Sequence, residues 1–349
     1  MKKLLLVTSI LLLSSAFLIG CGDKKSNTTM NQQDQTQSQL QTQTNAIPDQ
    51  NAQQDGLTIS QTTERPVAVM IDNEGIAKTR HAGLDKAYIV YEMIAEGGET
   101  RMMALFKGIN PENIGPVRSS RHYFIHYAME HDPVYVHFGW SPLAQVAIKK
   151  LHVNNINCLY DNIYWRNPKK RGDWQNAFTS MENIKKMMAK KKYRDTTEVS
   201  VFKYSPSEIG LDEGIKAFNV KIPYTGLRVS TNYEYDETNK VYKQFLGTKP
   251  HTDSISGIQY TARNIIITAV KNYILNDGQR KGRQQMNTVG SGKGYLITNG
   301  KAIKITWEKS SETAKSIYRD KNGNEIMLNN GQTWIHIIPT QSYNKLTIE

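Results

Sequence analysis

Apolar residues cluster unevenly along this chain, and the clusters predict its elements. Residues 4–19 are almost wholly apolar, diluted only by Thr8, Ser9, Ser14 and Ser15. Residues 23–62 then hold almost nothing but Gln, Asn, Thr, Ser, Asp and Lys, as in Asn31-Gln32-Gln33-Asp34-Gln35 and Gln41-Thr42-Gln43-Thr44. After residue 64, apolar runs of strand length return. Pro66-Val67-Ala68-Val69-Met70-Ile71-Asp72 is one. Residues 87–95 and 101–107 are two more, joined by Glu96-Gly97-Gly98-Glu99-Thr100 as a hairpin turn. A helix is expected over 119–130, followed by a buried strand, Val134-Tyr135-Val136-His137-Phe138. Strand, helix, strand predicts a parallel pair with a right-handed crossover. Ser141-Pro142 opens a second helix, with Ser as cap and Pro in the first turn. Thr179-Ser180-Met181-Glu182 fits a capping box and opens a third, to about residue 192.

Past residue 217 no convincing amphipathic helix appears. Residues 263–270, 294–298, 302–308 and 333–338 are strand-like. Asn299-Gly300, Asn322-Gly323 and Asn330-Gly331 supply turn chemistry, because Asn-Gly accepts the positive φ angles of tight hairpins. The expected fold class is an α/β N-terminal domain, a mixed sheet with helices, followed by a mainly-β C-terminal domain. Residues 63–210 and 211–349 are the expected domains.

The first apolar run changes the picture most. Met1-Lys2-Lys3, a short apolar core and small residues at its end describe a secretory signal over residues 1–20. The core falls short of the roughly 20 residues that span a bilayer. Its ending, Leu18-Ile19-Gly20-Cys21, resembles the bacterial lipobox. In such lipoproteins the cysteine sulfur takes a diacylglycerol and becomes the mature N-terminus. Cys21 is therefore the expected lipidation site, bearing acyl chains such as palmitate. It would fix the protein to the outer face of the cytoplasmic membrane. An uncleaved anchor with an incidental cysteine is the alternative. The polar stretch cannot bury enough apolar area to offset its ordering entropy. Residues 21–62 thus read as a lipid-anchored tether with a root-mean-square reach of roughly 35 Å.

Composition sharpens this. Of two cysteines, only Cys158 remains after Cys21 is committed, so the folded part can form no internal disulfide. Asn157-Cys158-Leu159-Tyr160 is an apolar context, and Cys158 reads as a buried structural thiol. The precursor carries a net charge of +12, and loss of Lys2 and Lys3 with the signal leaves +10. The excess is concentrated in Lys169-Lys170-Arg171, in residues 185–192 and in Arg280-Lys281-Gly282-Arg283. Outside a membrane, the polyanions to meet are lipid headgroups and charged wall polymers. A merely solvated basic surface is the alternative, and export removes nucleic acid as a partner.

Several segments could carry chemistry. Gly115-Pro116-Val117-Arg118-Ser119-Ser120-Arg121 puts two guanidiniums and two hydroxyls at an expected helix start. There, free N–H groups and arginine forks can hold phosphate or carboxylate. In the bland reading, Ser119 or Ser120 caps the helix and the arginines pair with Glu92, Glu96 or Glu99. Glu92 lies in an apolar strand with Glu96 at the same parity, and a carboxylate there needs a partner such as Arg101 or Arg118. His122, His126 and Glu130 share a helix face at i, i+4 and i+8, with His137 near. The spacing is compatible with zinc but common on helix surfaces. Residues 164–174, from Tyr164-Trp165-Arg166 to Asp173-Trp174, mix aromatics and cations as sugar-binding loops do, or as basic surface loops do. His251 and Asp253 set an imidazole near a carboxylate, or form an ordinary turn. Gly290-Ser291-Gly292-Lys293-Gly294 lacks the Gly-Lys-Ser/Thr and following helix of a phosphate loop, and is expected to be a β connection.

These residues together resemble the YerB-type lipoproteins of Gram-positive bacteria, a family defined by a two-part domain of unknown function. The resemblance runs from Arg65 to Pro339. It rests on residues 65–73, Val90-Tyr91-Glu92, Glu96-Gly97-Gly98, Thr100-Arg101 and above all residues 115–121. Residues 137–142, His251 with Asp253, Thr306-Trp307-Glu308-Lys309 and residues 331–335 complete it. The family pattern after the basic loop reads like Pro-His-Asn. Here Asp173-Trp174-Gln175-Asn176 stands in that place and only Asn176 matches. His122 and His126 lie outside the pattern, so no metal or cofactor is expected. The resemblance implies an envelope lipoprotein and supplies no activity.

Three functional readings follow. The first is a non-enzymatic binding or accessory protein for an anionic or glycan surface component, or for an envelope protein. It would act through Arg118, Ser119, Ser120 and Arg121, oriented by Asp72, Glu92, Glu96 and Arg101. The second is a hydrolase or transferase of an envelope polymer, using Glu92, Glu96, His137, His251 or Asp253 as acid–base groups. The third is a pure scaffold.

Overall fold

The computed structural model describes residues 62–170, 172–225, 229–278 and 281–349. The expected signal, the expected lipidation site Cys21 and the expected tether lie outside the described residues. Among the described residues no helix is long and apolar enough to cross a bilayer.

One large mixed sheet organises the molecule. Its strands are β1 (Val67–Asn73), β2 (Ile89–Ile94), β3 (Thr100–Phe106), β4 (Val134–His137) and β5 (Asn155–Asn157) from the first part. A second, smaller sheet is built from β6 (Asn219–Thr225), β7 (Val229–Asp236) and β8 (Val241–Leu246), with short flanking strands. The large sheet then continues with β9 (Asn264–Val270), β10 (Gly290–Thr298), β11 (Lys301–Lys309), β12 (Ile317–Arg319) and β13 (Thr333–Pro339). Its order is β12-β11-β10-β9-β13-β2-β3-β1-β4-β5. The mixed sheet with helices and the strand-rich second part agree with the expected fold class. The two parts share one sheet, because β13 pairs in parallel with both β2 and β9.

The aliphatic runs of β1, β2 and β3 are buried at every position, which is why they read so plainly as strands. The expected parallel pair exists, but β4 pairs with β1, not with β3. Both β1 and β2 are antiparallel to β3 and so run the same way. Asn299 and Gly300 both take positive φ, 49° and 71°, and turn β10 into β11. Ser141 caps helix α2 (Pro142–Lys150) by accepting from the Ala144 N–H.

Five expectations need correction. Helix α1 spans only His122–Ala128, not 119–130. Residues 117–121 are held in extended form, because Arg118 N–H bonds Met70 O and Ser120 N–H bonds Gly139 O. Ser119 and Ser120 therefore do not sit at a helix N-terminus. The single-turn helix α3 (Cys158–Asp161) was not expected, and α4 runs over Met181–Lys190. Its cap is Ser180, accepting from Asn183 N–H, one residue later than the capping box suggests. The glycine-rich segment 290–294 is not a connection but the start of β10. Finally β6, β7 and β8 are strands with no counterpart in the expected set.

Alternating residues of β2 tell the layers apart. Tyr91 meets His131 and the Tyr127 ring at the end of α1. Glu92, pointing to the opposite face, meets Thr231 of β7. Helix α1 thus covers one face of the large sheet and the second sheet covers the other. Cys158 is fully buried, and burial pushes its thiol up to about 12, as a structural thiol requires.

Candidate functional site

The candidate residues divide into two polar clusters, one on each face of the sheet, where β1 and β2 end and β3 begins. The helix-side cluster follows from register. Asp72 stands opposite Arg101 across the β1–β3 pair. Arg118 is brought beside them by the bridge of Val117 to Ile71. Its Nε lies 3.2 Å from Asp72 Oδ2, and its terminal nitrogen 3.6 Å from Glu74. Arg101 donates to the Ser119 carbonyl at 2.9 Å and lies 3.5 Å from Glu96. Arg121 bonds Glu96 at 2.5 Å and the Ser120 carbonyl at 2.7 Å. Two guanidiniums thus share the carboxylate of Glu96, while a third adjoins Asp72.

The serines are used locally. Ser119 Oγ donates to Phe138 O, and Ser120 Oγ bonds the Tyr135 hydroxyl. Burial raises the Asp72 carboxyl despite Arg118 and Arg101. Burial also lowers Arg101, to about 10, with Arg121 adding repulsion. For Glu96 burial acts upward, but the bond and charge of Arg121 outweigh it and hold the carboxyl below the ordinary range. Asp72 Oδ2, Glu96 Oε2, Arg101 Nε and Arg118 Nε are buried atoms without a well-directed hydrogen bond. Such atoms are rare in folded proteins, and four gathered together mark a place where polar capacity is left over.

A cavity of about 280 Å³ opens beside Arg121. Arg121, His122, Ser141 and Leu143 form one wall. Leu275, Asp277, Arg283 and Gln284, from the hairpin that follows β9, form the other. The strands β2, β13 and β9 run in parallel, so this hairpin leaves β9 at the same carboxyl end where Glu96 follows β2. Ligands of open α/β sheets are bound outside the carboxyl ends of the strands. Arg283 is ion-paired with Asp277, and His122 Nε2 meets Gln285 Oε1 at 2.8 Å.

The second cluster corrects the expectation for Glu92. It pairs with neither Arg101 nor Arg118. Glu92 accepts from Thr100 (2.7 Å), Asn73 (3.1 Å) and Thr231 (2.8 Å), and lies 3.5 Å from His336. Burial would raise its carboxyl, but His336 first, and then the hydroxyls of Thr100 and Thr231, hold it below the ordinary value. Parity with Glu96 is lost because the chain leaves the strand at Ala95.

From His336 a chain of buried bonds continues. Its Nδ1 meets Tyr224 OH at 2.6 Å and its Nε2 meets Tyr233 OH at 3.0 Å. Tyr233 meets Gln244, Gln244 meets His251 at 2.5 Å, and His251 meets His81 Nδ1 at 2.8 Å. His81 Nε2 ends the chain on the Asp72 carbonyl at 2.6 Å. That carbonyl requires the His81 proton on Nε2, so His251 Nε2 must donate to His81 and leave its own Nδ1 as an acceptor. The chain closes when the Gln244 amide turns its NH₂ to His251 and its oxygen to Tyr233. His81 and His251 are then satisfied in the neutral form, in agreement with burial, which lowers His81 to about 4 and His251 well below its usual value.

Other candidates are also internal. His137 meets the Gly139 carbonyl and Asn155, and burial lowers it to about 4. Asp253 caps its own turn through the N–H groups of Ile255 and Ser256 and also accepts from Gly83 N–H and Tyr260, so His251 and Asp253 do not pair. Asn176 accepts from Arg166 and donates to Pro168 O. His126 meets Thr288, and Glu130 is bound by Lys309. The residues missed in the sequence are His81, His336, Tyr224, Tyr233 and Gln244. The signal was there for His336, a polar residue inside the aliphatic run of 334–338, as Glu92 is inside its own.

Known proteins agree with this two-part construction. Residues 55–194 match the N-terminal domain model, and residues 220–335 the C-terminal domain model, of a protein of unknown function, DUF3048. "Putative lipoprotein YerB" of Bacillus subtilis (strain 168) is 32% identical over 283 residues, 80% of this chain and 82% of that protein. The crystal structure of the YerB protein from Bacillus subtilis superposes with a TM-score of 0.73 at 30% identity, covering 85% of this chain and 98% of that one.

Proposed function

The chain belongs to the DUF3048 family, and we propose that it is a lipid-anchored binding protein on the outer face of the cytoplasmic membrane, fixed through Cys21, that holds an anionic envelope component. The observation that carries this reading is the 280 Å³ cavity at the carboxyl ends of the strands, where Arg121 and His122 of one part face Arg283 of the other. Behind it, Arg101, Arg118 and Arg121 face the buried carboxyl of Asp72, the half-buried Glu96 and the exposed Glu74, and burial raises the Asp72 carboxyl. That balance leaves positive potential for an oxyanion, which arginine can grip with two parallel bonds. The histidines named for acid–base work are bonded elsewhere, which favours binding over hydrolysis. Binding rests on the arginine side chains and not on a helix start at Ser119 or Ser120, since α1 begins at His122.

The test is titration of the full-length protein in neutral-detergent micelles with purified anionic wall polymer and with inorganic phosphate. We expect Arg121→Gln and Arg283→Gln each to weaken polymer binding at least tenfold, with unchanged circular dichroism. Equal binding by wild type and an Arg118→Ala, Arg121→Ala double variant that remains folded sinks the site.

A further inference from the structure

We propose that the loop between α3 and α4 forms a second binding site, one that takes the pyranose rings of an acidic glycan. The site is separate from the arginine cavity, and its test reads different residues, so either can fail alone. A concave space of about 770 Å³ is lined there by Tyr164, Trp165, Arg166, Lys169, Lys170 and Trp174. That volume lies within the roughly 300–1,000 Å³ of small-molecule sites.

Three features make it a built site. Its floor is fixed: Arg166 lies over the rings of Phe138 and Tyr164, at 5.4 and 5.5 Å, and donates to Asn176 at 2.6 Å. Asn176 is fully buried and ties back to Pro168 O. Its far wall is fixed as well, because Asp173 pairs with Arg80 at 2.7 Å and Gln175 donates to the Glu74 carbonyl. A loop held this way does not need to be ordered by its ligand, which lowers the entropic cost of binding. Finally the Trp174 side of the site is left uncovered, the residue being 70% exposed.

The chemistry of the lining selects the ligand. An indole face is electron-rich and packs against the weakly positive C–H face of a sugar ring. Arg166 and the backbone of the loop offer partners for hydroxyls. Lys169 and Lys170 are exposed and form no ion pair among the described residues, so they favour rings bearing carboxylate or phosphate. An anionic bilayer also attracts tryptophan and lysine, but it meets protruding surfaces, whereas this lining is concave with a polar floor.

The probe is polygalacturonate, titrated into the full-length protein in neutral-detergent micelles with tryptophan emission and calorimetry as readouts. Dextran supplies rings without charge, poly-glutamate charge without rings, and phosphatidylglycerol vesicles a charged bilayer. The proposal expects polygalacturonate to bind at least tenfold more tightly than dextran or poly-glutamate. Trp174→Ala should lose at least tenfold, and Lys169→Gln with Lys170→Gln should flatten the salt dependence. Wild-type affinity in Trp174→Ala overturns the proposal. So does equal binding of poly-glutamate, or vesicle binding that depends on Trp174 while polygalacturonate binding does not.

Discussion

Removing either member of the buried pair Glu130–Lys309 should destabilise the protein by about 3–5 kcal/mol, the usual cost of stranding one buried charge. Both side chains have no solvent exposure, and Nζ lies 2.7 Å from Oε1. Glu130 also accepts from the Ser316 N–H at 3.0 Å and hydroxyl at 2.8 Å, while Lys309 also donates to the Ala314 carbonyl. The pair joins the end of the α1 segment to β11, so its loss is felt by both parts. Lys309→Met keeps the volume but leaves a carboxylate held only by Ser316. Glu130→Leu leaves an ammonium facing one carbonyl and frees the Ser316 donors, which adds about 1–3 kcal/mol. The double variant removes both charges, so its loss should be smaller than the sum of the singles by about 3 kcal/mol or more. Urea unfolding of the full chain, followed by circular dichroism and tryptophan emission, gives the cycle. In thermal melts each single variant should fall by about 6–20 °C, taking about 2–4 °C per kcal/mol for a domain of this class. Single losses under about 1 kcal/mol, or an additive double, would refute the reasoning.

Two more expectations follow from the same interior. Burial depresses His81, His126 and His137 to about 4, below the roughly 6.5 of an unfolded histidine. The unfolded chain therefore binds protons between those values that the native chain does not. Stability is full above about pH 6.5 and is lost as pH falls toward 4, at up to about 1.4 kcal/mol per pH unit per residue. Urea midpoints at pH 7 and pH 5 test this, and equal midpoints count against it; the depressed carboxyls of Glu92 and Glu96 titrate below the window. Gly294→Ala should cost several kcal/mol, because a Cβ there would sit 2.1 Å from the Ile267 carbonyl oxygen of the paired strand β9. A folded variant with a wild-type melting temperature would show that β10 can shift without loss.

What the sequence revealed depended on how each segment is solvated. Strands buried on both faces are unbroken aliphatic runs, and β1, β3 and β9 could be read directly. The strands β6 and β7 alternate core positions such as Val220, Ile222 and Tyr233 with Lys221, Asn232 and Glu234, and carry tyrosine and proline where aliphatics would be expected. Their pattern is too polar to stand out. The grouping of Asp72, Glu96, Arg101, Arg118 and Arg121 was legible because all lie near strand ends joined by short loops. The placement of Glu92 was not, because its partners Thr231 and His336 are 139 and 244 positions away. The helix expected at Ser119 failed for a related reason. The N–H groups of Arg118 and Ser120 are claimed by Met70 of β1 and by Gly139 just after β4, which no local capping signal can report.

The parallel pairing of β13 with β2 also sets the order in which the molecule can be completed. Residues 333–339 fill the slot between β2 and β9, so the large sheet stays divided until residue 339 has emerged. No partial product can close the sheet early. A chain that emerges amino-terminus first keeps its early strands with an open edge until residues 333–339 arrive, and slow contacts of this range are paid for in loop closure. Export in an unfolded state, as the proposed lipoprotein reading requires, would suit this topology.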